Sequence, residues 1–274
     1  MRLNSSLIIS LITILVNVCF DAYGQDHNFT YKATYKLTFQ QDSTDLESVK
    51  SENMVLFLGN VTSNFSSIGK HEKDSIFSNN PGNLNFEMIM SKMPKTVFNY
   101  NIIKNRITGK VIYTTKVLKD QMMYEESISQ MKWEIGNETK TIAGYNCQKA
   151  TTQYSNRNYT AWFTKEIPIA DGPYKFSGLP GLIIHIADSK NHYSFELNGF
   201  TKLVPAKQDT FDSSVYLITS KNKLNKVMKK YKENPLSMLE QSGITLNFKS
   251  EANKSQMLKK HKSELHKKNN PIEL

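Results

Sequence analysis

The sequence predicts a mainly β protein: a single curved antiparallel sheet, or a half-barrel or barrel, with two short C-terminal helices and a basic tail. Three observations predict it. Phe29, Tyr31, Ala33, Tyr35, Leu37 and Phe39 alternate with polar residues, and period two leaves one greasy and one wet face only in a strand. The same rhythm returns at Met54, Leu56 and Leu58, at Met131, Trp133 and Ile135, and at Tyr159, Ala161 and Phe163. Only after Ser220 does the spacing become helical.

Before the first strand lies a leader. Arg2 supplies a positive start, Leu7 to Phe20 is a 14-residue apolar run, and Ala22-Tyr23-Gly24 places small residues where a signal peptidase cuts. The run is short for a membrane span. Residues 1–24 therefore read as a cleavable signal peptide, which implies a secreted or periplasmic chain beginning at Gln25. Cys19 suggests lipidation as the lesser alternative, because Asn17 and Val18 stand where small residues are wanted. No later run reaches 18 apolar residues.

The remaining chain divides into a β domain with C-terminal helices, 25–248, and a basic tail, 249–274. After the opening strand, 41–53 reads as a polar loop and 60–85, rich in Asn, Ser and Gly, as a long irregular connection. Strand-like segments follow at 86–90, 96–103, 107–118, 121–128 and 130–136, with Asn105 as a turn residue. These hairpin spacings favour one sheet. Ser220 caps a helix with Leu224, Val227, Met228 and Tyr231 on one stripe. Asn234-Pro235 restarts a second helix that Gly243 ends, and Ile244, Leu246 and Phe248 resemble a last strand.

Charge and cysteine content exclude some classes. The net charge of +10 survives cleavage, and the tail holds seven Lys against three Glu. It lacks arginine and interleaved aromatics, so it reads as a solvated helix or a lipid-headgroup contact, not a nucleic-acid surface. With Cys147 the one cysteine left after cleavage, no intrachain disulfide forms, and a buried apolar thiol is its commoner role.

The densest signal is residues 166–181, EIPIADGPYKFSGLPG, which hold six of the chain's twenty Gly and Pro residues. Prolines fix φ and glycines admit positive φ, so this is a shaped loop. Its candidate functional residues are Pro168, Gly172, Pro173, Phe176, Gly178, Leu179, Pro180 and Gly181. Pro180-Gly181 fits the centre of a type II turn feeding the apolar strand Leu182–Ile186, both of whose faces are expected to be covered.

Residues 178–183, Gly-Leu-Pro-Gly-Leu-Ile, make the chain resemble the GLPGLI family of exported Bacteroidota proteins. Ile142–Ala150, Ala161-Trp162-Phe163-Thr164, Glu166-Ile167-Pro168, Gly172-Pro173 and Phe176 are also similar to that family, as is the closing Asn270-Pro271-Ile272-Glu273-Leu274. The resemblance implies a small exported β protein of unknown function, with no catalytic residue to carry over. The bacterial host it implies argues against glycosylation at the sequons of Asn28, Asn60, Asn64, Asn137 and Asn158.

Three functional readings follow. The leading one is a non-enzymatic binding or structural module of the cell envelope, carrying an apolar ligand on a concave sheet or meeting an envelope or transport protein, with 166–181 as rim or lid. The plainer alternative is that this loop only packs across a sheet face. A second reading is a hydrolase using His185 and Asp188, with Glu166 and His192 beside them, although no Gly-x-Ser-x-Gly elbow is present. The third is a Cu(I) site at Met88, Met90 and Met93, against which core filling competes. His261 and His266 sit among lysines that repel a cation. The sequence names no cofactor.

Overall fold

The computed structural model describes residues 26–79, 94, 96–127, 131–243 and 250–273. The leader, the strand expected at 86–90, the Met88, Met90 and Met93 trio and the strand expected at 244–248 lie outside the described residues.

The protein is mainly β. Its strands are β1 (Asp26–Gln40), β2 (Val49–Gly59), β3 (Thr62–Ser67), β4 (Tyr100–Asn105), β5 (Lys110–Val117), β6 (Asp120–Ser127), β7 (Glu134–Ile142), β8 (Tyr145–Tyr154), β9 (Arg157–Thr164), β10 (Leu182–Asp188), β11 (Tyr193–Thr210) and β12 (Leu217–Ile218). Among the described residues four helices accompany them: α1 (Ile68–Asn79), α2 (Lys221–Glu233), α3 (Pro235–Gln241) and α4 (Glu251–His266). The strands form one sheet in the order β12-β6-β5-β4-β3-β2-β1-β11-β10-β9-β8-β7. Two hairpin meanders, β1–β6 and β7–β11, are thus joined side by side through the long β1–β11 pair. All pairs are antiparallel except the short β12–β6 contact, which is parallel.

Topology forces this sheet to curl. From β6 to β7 it counts ten strand spacings, about 48 Å if flat. Yet Ser127 and Glu134 end those strands only seven residues apart, a reach of at most about 25 Å. The two edges must therefore approach each other, although among the described residues no ladder joins them and the sheet is open.

The inner face gathers the alternating residues: Ala33, Tyr35, Leu37 and Phe39 with Met54, Leu56, Leu58, Phe65, Ile102, Phe163 and Phe195, all in one cluster. Phe29 departs from the period-two expectation. A register shift between Phe29 and Tyr31 turns it to the opposite side, where it packs with Val55, Phe57 and Ile68. A bulge adds a residue and so flips the face.

Two expected loops are partly strand. Residues 41–53 shorten to 41–48, and β2 begins at Val49, its polar start pairing with the end of β1. Within 60–85, Thr62–Ser67 is a central strand and Ile68–Asn79 a helix. Backbone pairing on both sides overrides the low apolar content there, and Phe65 alone supplies the inner contact. The 130–136 strand lies instead at 134–142, an outer edge with mostly exposed residues. The expected turn at Asn105 is present: its Oδ1 accepts from the Ile107 and Thr108 amides at 3.0 Å.

The C-terminal helices match their signals. Ser220 caps α2 by accepting from the Lys223 amide, and Leu224, Val227, Met228 and Tyr231 face Val117 and Tyr124. Pro235 opens α3, and Gly243 follows it with φ +78°. The basic segment forms α4, which buries no residue, and its last residues then return to the sheet.

Candidate functional site

The 166–181 loop fills the inside of the curl. Its path is set by tight turns. The Ile169 amide donates to Ile167 O at 2.7 Å and the Gly181 amide to Leu179 O at 2.8 Å, three-residue turns centred on Pro168 and Pro180. Proline's fixed φ suits that geometry. The type II turn expected at Pro180-Gly181 is therefore replaced. Leu182 N bonds to Ile167 O, and Gly181 has φ +152° where a type II turn needs about +80°.

Glycine is required at two of these positions for different reasons. A Cβ on Gly181 would lie 1.9 Å from Thr164 O, while one on Gly172 would meet Ile183 Cδ1 at 2.6 Å. Phe176, fully buried, is the centre of the plug, with ring centroids 4.7 Å from Tyr159, 5.7 Å from Tyr154 and 6.5 Å from Phe195. Leu179, Ile167 and Tyr174 are buried in the same cluster. Pro173 O accepts from the Phe176 amide across a turn in which Tyr174 holds φ +53°, a conformation costly for an aromatic residue unless its surroundings enforce it.

What enforces it is buried charge. Lys104 projects from β4 with no exposure. Its Nζ donates to Gly172 O at 2.6 Å, Tyr174 O at 3.1 Å and Phe176 O at 3.4 Å, and it pairs with Asp171 Oδ1 at 2.5 Å. One ammonium thus gathers four oxygens of the loop. Burial pushes the Lys104 pKa below its ordinary value while Asp171 works to raise it. Arg106 reaches Asp171 Oδ2 at 3.2 Å. Trp133 Nε1 donates to Ser177 O at 2.9 Å from the other side.

A second network ties the loop to the C-terminus. Lys175 Nζ lies 2.5 Å from Glu273 Oε1 and 3.0 Å from Tyr124 Oη, and also pairs with Glu126. Glu273 further accepts from Tyr154 at 2.9 Å and Tyr174 at 2.5 Å, and pairs with Lys221 at 2.5 Å. Burial works to raise the Glu273 pKa, but Lys175, Lys221 and Tyr174 hold it down to about 2. Tyr124 belongs to β6 and Tyr154 to β8, so this network spans the gap left by the open sheet.

The third network accounts for two of the candidate catalytic residues. Arg157 donates to Asp188 Oδ2 at 3.2 Å, to Asn270 Oδ1 at 2.6 Å and to Pro271 O at 2.7 Å, with His192 Nδ1 at 3.3 Å. Asp188 Oδ1 accepts from the Tyr193 amide at 2.6 Å. His185 stands apart, its Nε2 3.2 Å from Ser194 Oγ and its buried Nδ1 without a partner. Burial lowers its pKa, with Lys140 adding to the effect. A serine–histidine pair acts as nucleophile and base when a third group orients the imidazole; that group is missing from the Nδ1 side. Glu166 accepts from the Asn146 amide at 2.7 Å. His185 and Asp188 are thus held by separate partners and do not converge.

Cys147 is buried, and its thiol pKa is raised by burial. Among the described residues no group of three His, Cys, Asp or Glu is placed to hold a metal, and no helix is long and apolar enough to cross a membrane. The groups missed by sequence reading are Lys104, Arg106, Lys175, Arg157 and Glu273. One signal was present: Lys104 continues the inward period of Tyr100 and Ile102, so its parity already placed it inside.

Comparison with known proteins bears on this same region. A family model described as a protein of unknown function (Porph_ging) matches residues 152–185, from the end of β8 through β9 and the loop into β10. The family has no stated function. No curated protein matches the chain. Solved structures of PNGF-II in space groups P21 and C2 are similar, each with TM-score 0.53, 15% identity and coverage of 74% of this chain. The chain spans about a third of PNGF-II, 34% and 33%. At that identity the likeness is one of fold.

Proposed function

We propose that this chain is an exported, non-catalytic module of the bacterial cell envelope that binds or braces through its outer surface. The observation that carries this reading is the filled interior. Phe176, Tyr174 and Leu179 occupy the concave face where a carrier would hold an apolar ligand, and buried ion pairs hold them there. Clefts of about 460 and 650 Å³ lie instead among mostly polar residues elsewhere on the molecule. The charged groups inside are partnered by one another, so they serve as struts and not as acids or bases poised for substrate. The leader at 1–24 and the resemblance to exported proteins support the envelope assignment.

Fractionation of cells making the full chain tests the proposal, with mass spectrometry of the N-terminus. The expected product begins at Gln25 and resides in the periplasmic, envelope or secreted fraction. A chain retained in the cytoplasm with residues 1–24 intact would overturn it.

A further inference from the structure

We propose that the cleft between α1 and strands β4–β6 is a binding site for an acidic saccharide. It rests on the reading of the chain as a binding module and names the ligand class. The cleft is an open groove of about 650 Å³, within the range of small-ligand sites, and its lining is built by strand register. Asn101 of β4 stands opposite Thr114 of β5, and Lys116 of β5 opposite Gln121 of β6. An amide, a hydroxyl, an ammonium and a second amide are therefore presented side by side across three strands.

The chemistry of the walls selects the ligand. Lys70 is already paired with Asp74, whereas Lys73 and Lys116, also in the lining, have no ion-pair partner among the described residues. Two unneutralised ammonium groups attract an anion. The side-chain amides of Asn101 and Gln121 make no hydrogen bond to the described chain, and each offers donors and an acceptor, the pairing a sugar hydroxyl takes. Tyr216 and Tyr231 add rings against which the C–H face of a sugar can lie. The Tyr216 ring is braced, stacked on Phe211 with centroids 5.4 Å apart. An acyl chain would meet too many polar groups here. A bare phosphate would leave both rings and the amides unused, and no arginine fork lines the cleft.

Calorimetric titration of the chain 25–274 with trimers of galacturonate and of mannuronate, and with neutral maltotriose, tests the site. The expected result is binding of at least one acidic trimer, at least about tenfold tighter than maltotriose and weakened by salt. Lys116→Glu should reduce that affinity about tenfold or more, and Asn101→Leu should weaken it while the melting temperature of both variants stays near that of the parent. Lys116 is exposed, so its replacement leaves the core intact. Absence of binding by both acidic trimers, equal affinity for the neutral one, or unchanged affinity in Lys116→Glu would each overturn the proposal. Failure here leaves the envelope assignment standing, because cell fractionation reads that separately.

Discussion

Lys175, at the tip of the loop that fills the sheet, lies 2.5 Å from the carboxylate of Glu273, 98 residues later. The contact fastens the C-terminus across the gap between β6 and β8, so a distant segment completes what the open sheet leaves unfinished.

That contact makes stability pH-dependent. Glu273 has its folded pKa depressed to about 2 from an ordinary value of 4.5. Its stabilisation is therefore present above about pH 4.5 and is lost as pH falls toward 2. The full contribution is on the order of 3 kcal/mol. Glu273→Gln should lower the melting temperature at pH 7 and flatten the loss of stability between pH 4.5 and 2. Parallel melting curves for both chains across that window would rule the coupling out.

The two loop glycines in close contact, Gly172 and Gly181, should respond differently to repair. Gly181→Ala places Cβ against a backbone oxygen of Thr164, which no side-chain change relieves, and should prevent stable folding. Gly172→Ala collides with the Ile183 side chain, so adding Ile183→Ala should recover part of the lost stability. Soluble expression and thermal melts of the three variants read this out; a stably folded Gly181→Ala chain, or no recovery when Ile183→Ala joins Gly172→Ala, would contradict the assignment.

Lys104 and Asp171 form a pair with no exposed side chain. Asp171→Asn or Lys104→Met should each cost about 3–5 kcal/mol, because each strands a buried charge or the carbonyls it served. The double variant should cost clearly less than the sum. Urea denaturation of the three chains gives the coupling, and strict additivity would show that the two residues act independently.

Cys147 is 1% exposed. In a chain beginning at Gln25 it should stay unreactive toward a thiol reagent until the protein is unfolded by denaturant. Rapid stoichiometric labelling of the native chain would show that β8 opens locally.

Much of the sheet was legible because alternation is a local record of burial. β1 and β9 stand where period two places them, β10 where a continuous apolar run does, and Ser220, Pro235 and Gly243 mark helix ends through backbone geometry. β3 was not legible. Its Ser- and Asn-rich stretch becomes a strand because β2 and β4 satisfy its backbone from both sides, and no residue in 62–67 records that. The outward turn of Phe29 was hidden for the same reason, since a bulge belongs to a strand pair. Within the site, the shape of 166–181 could be read from its prolines and glycines, but the turn at Pro180 came out tighter because Leu182 N takes Ile167 O instead of closing on Leu179.

The amino-acid sequence by itself determined the β class, the place of several strands, the capped helices and the presence of a rigid loop, all of which follow from side-chain period and backbone freedom within a few residues. Tertiary structure alone decided that the loop faces inward, that Lys104 and Lys175 organise it, that Glu273 locks it, and that Arg157 and Asn270 tie the C-terminus to the ends of β10 and β1. Those contacts join residues up to 230 positions apart, and a charge is driven inside only where partners from distant strands already wait to neutralise it.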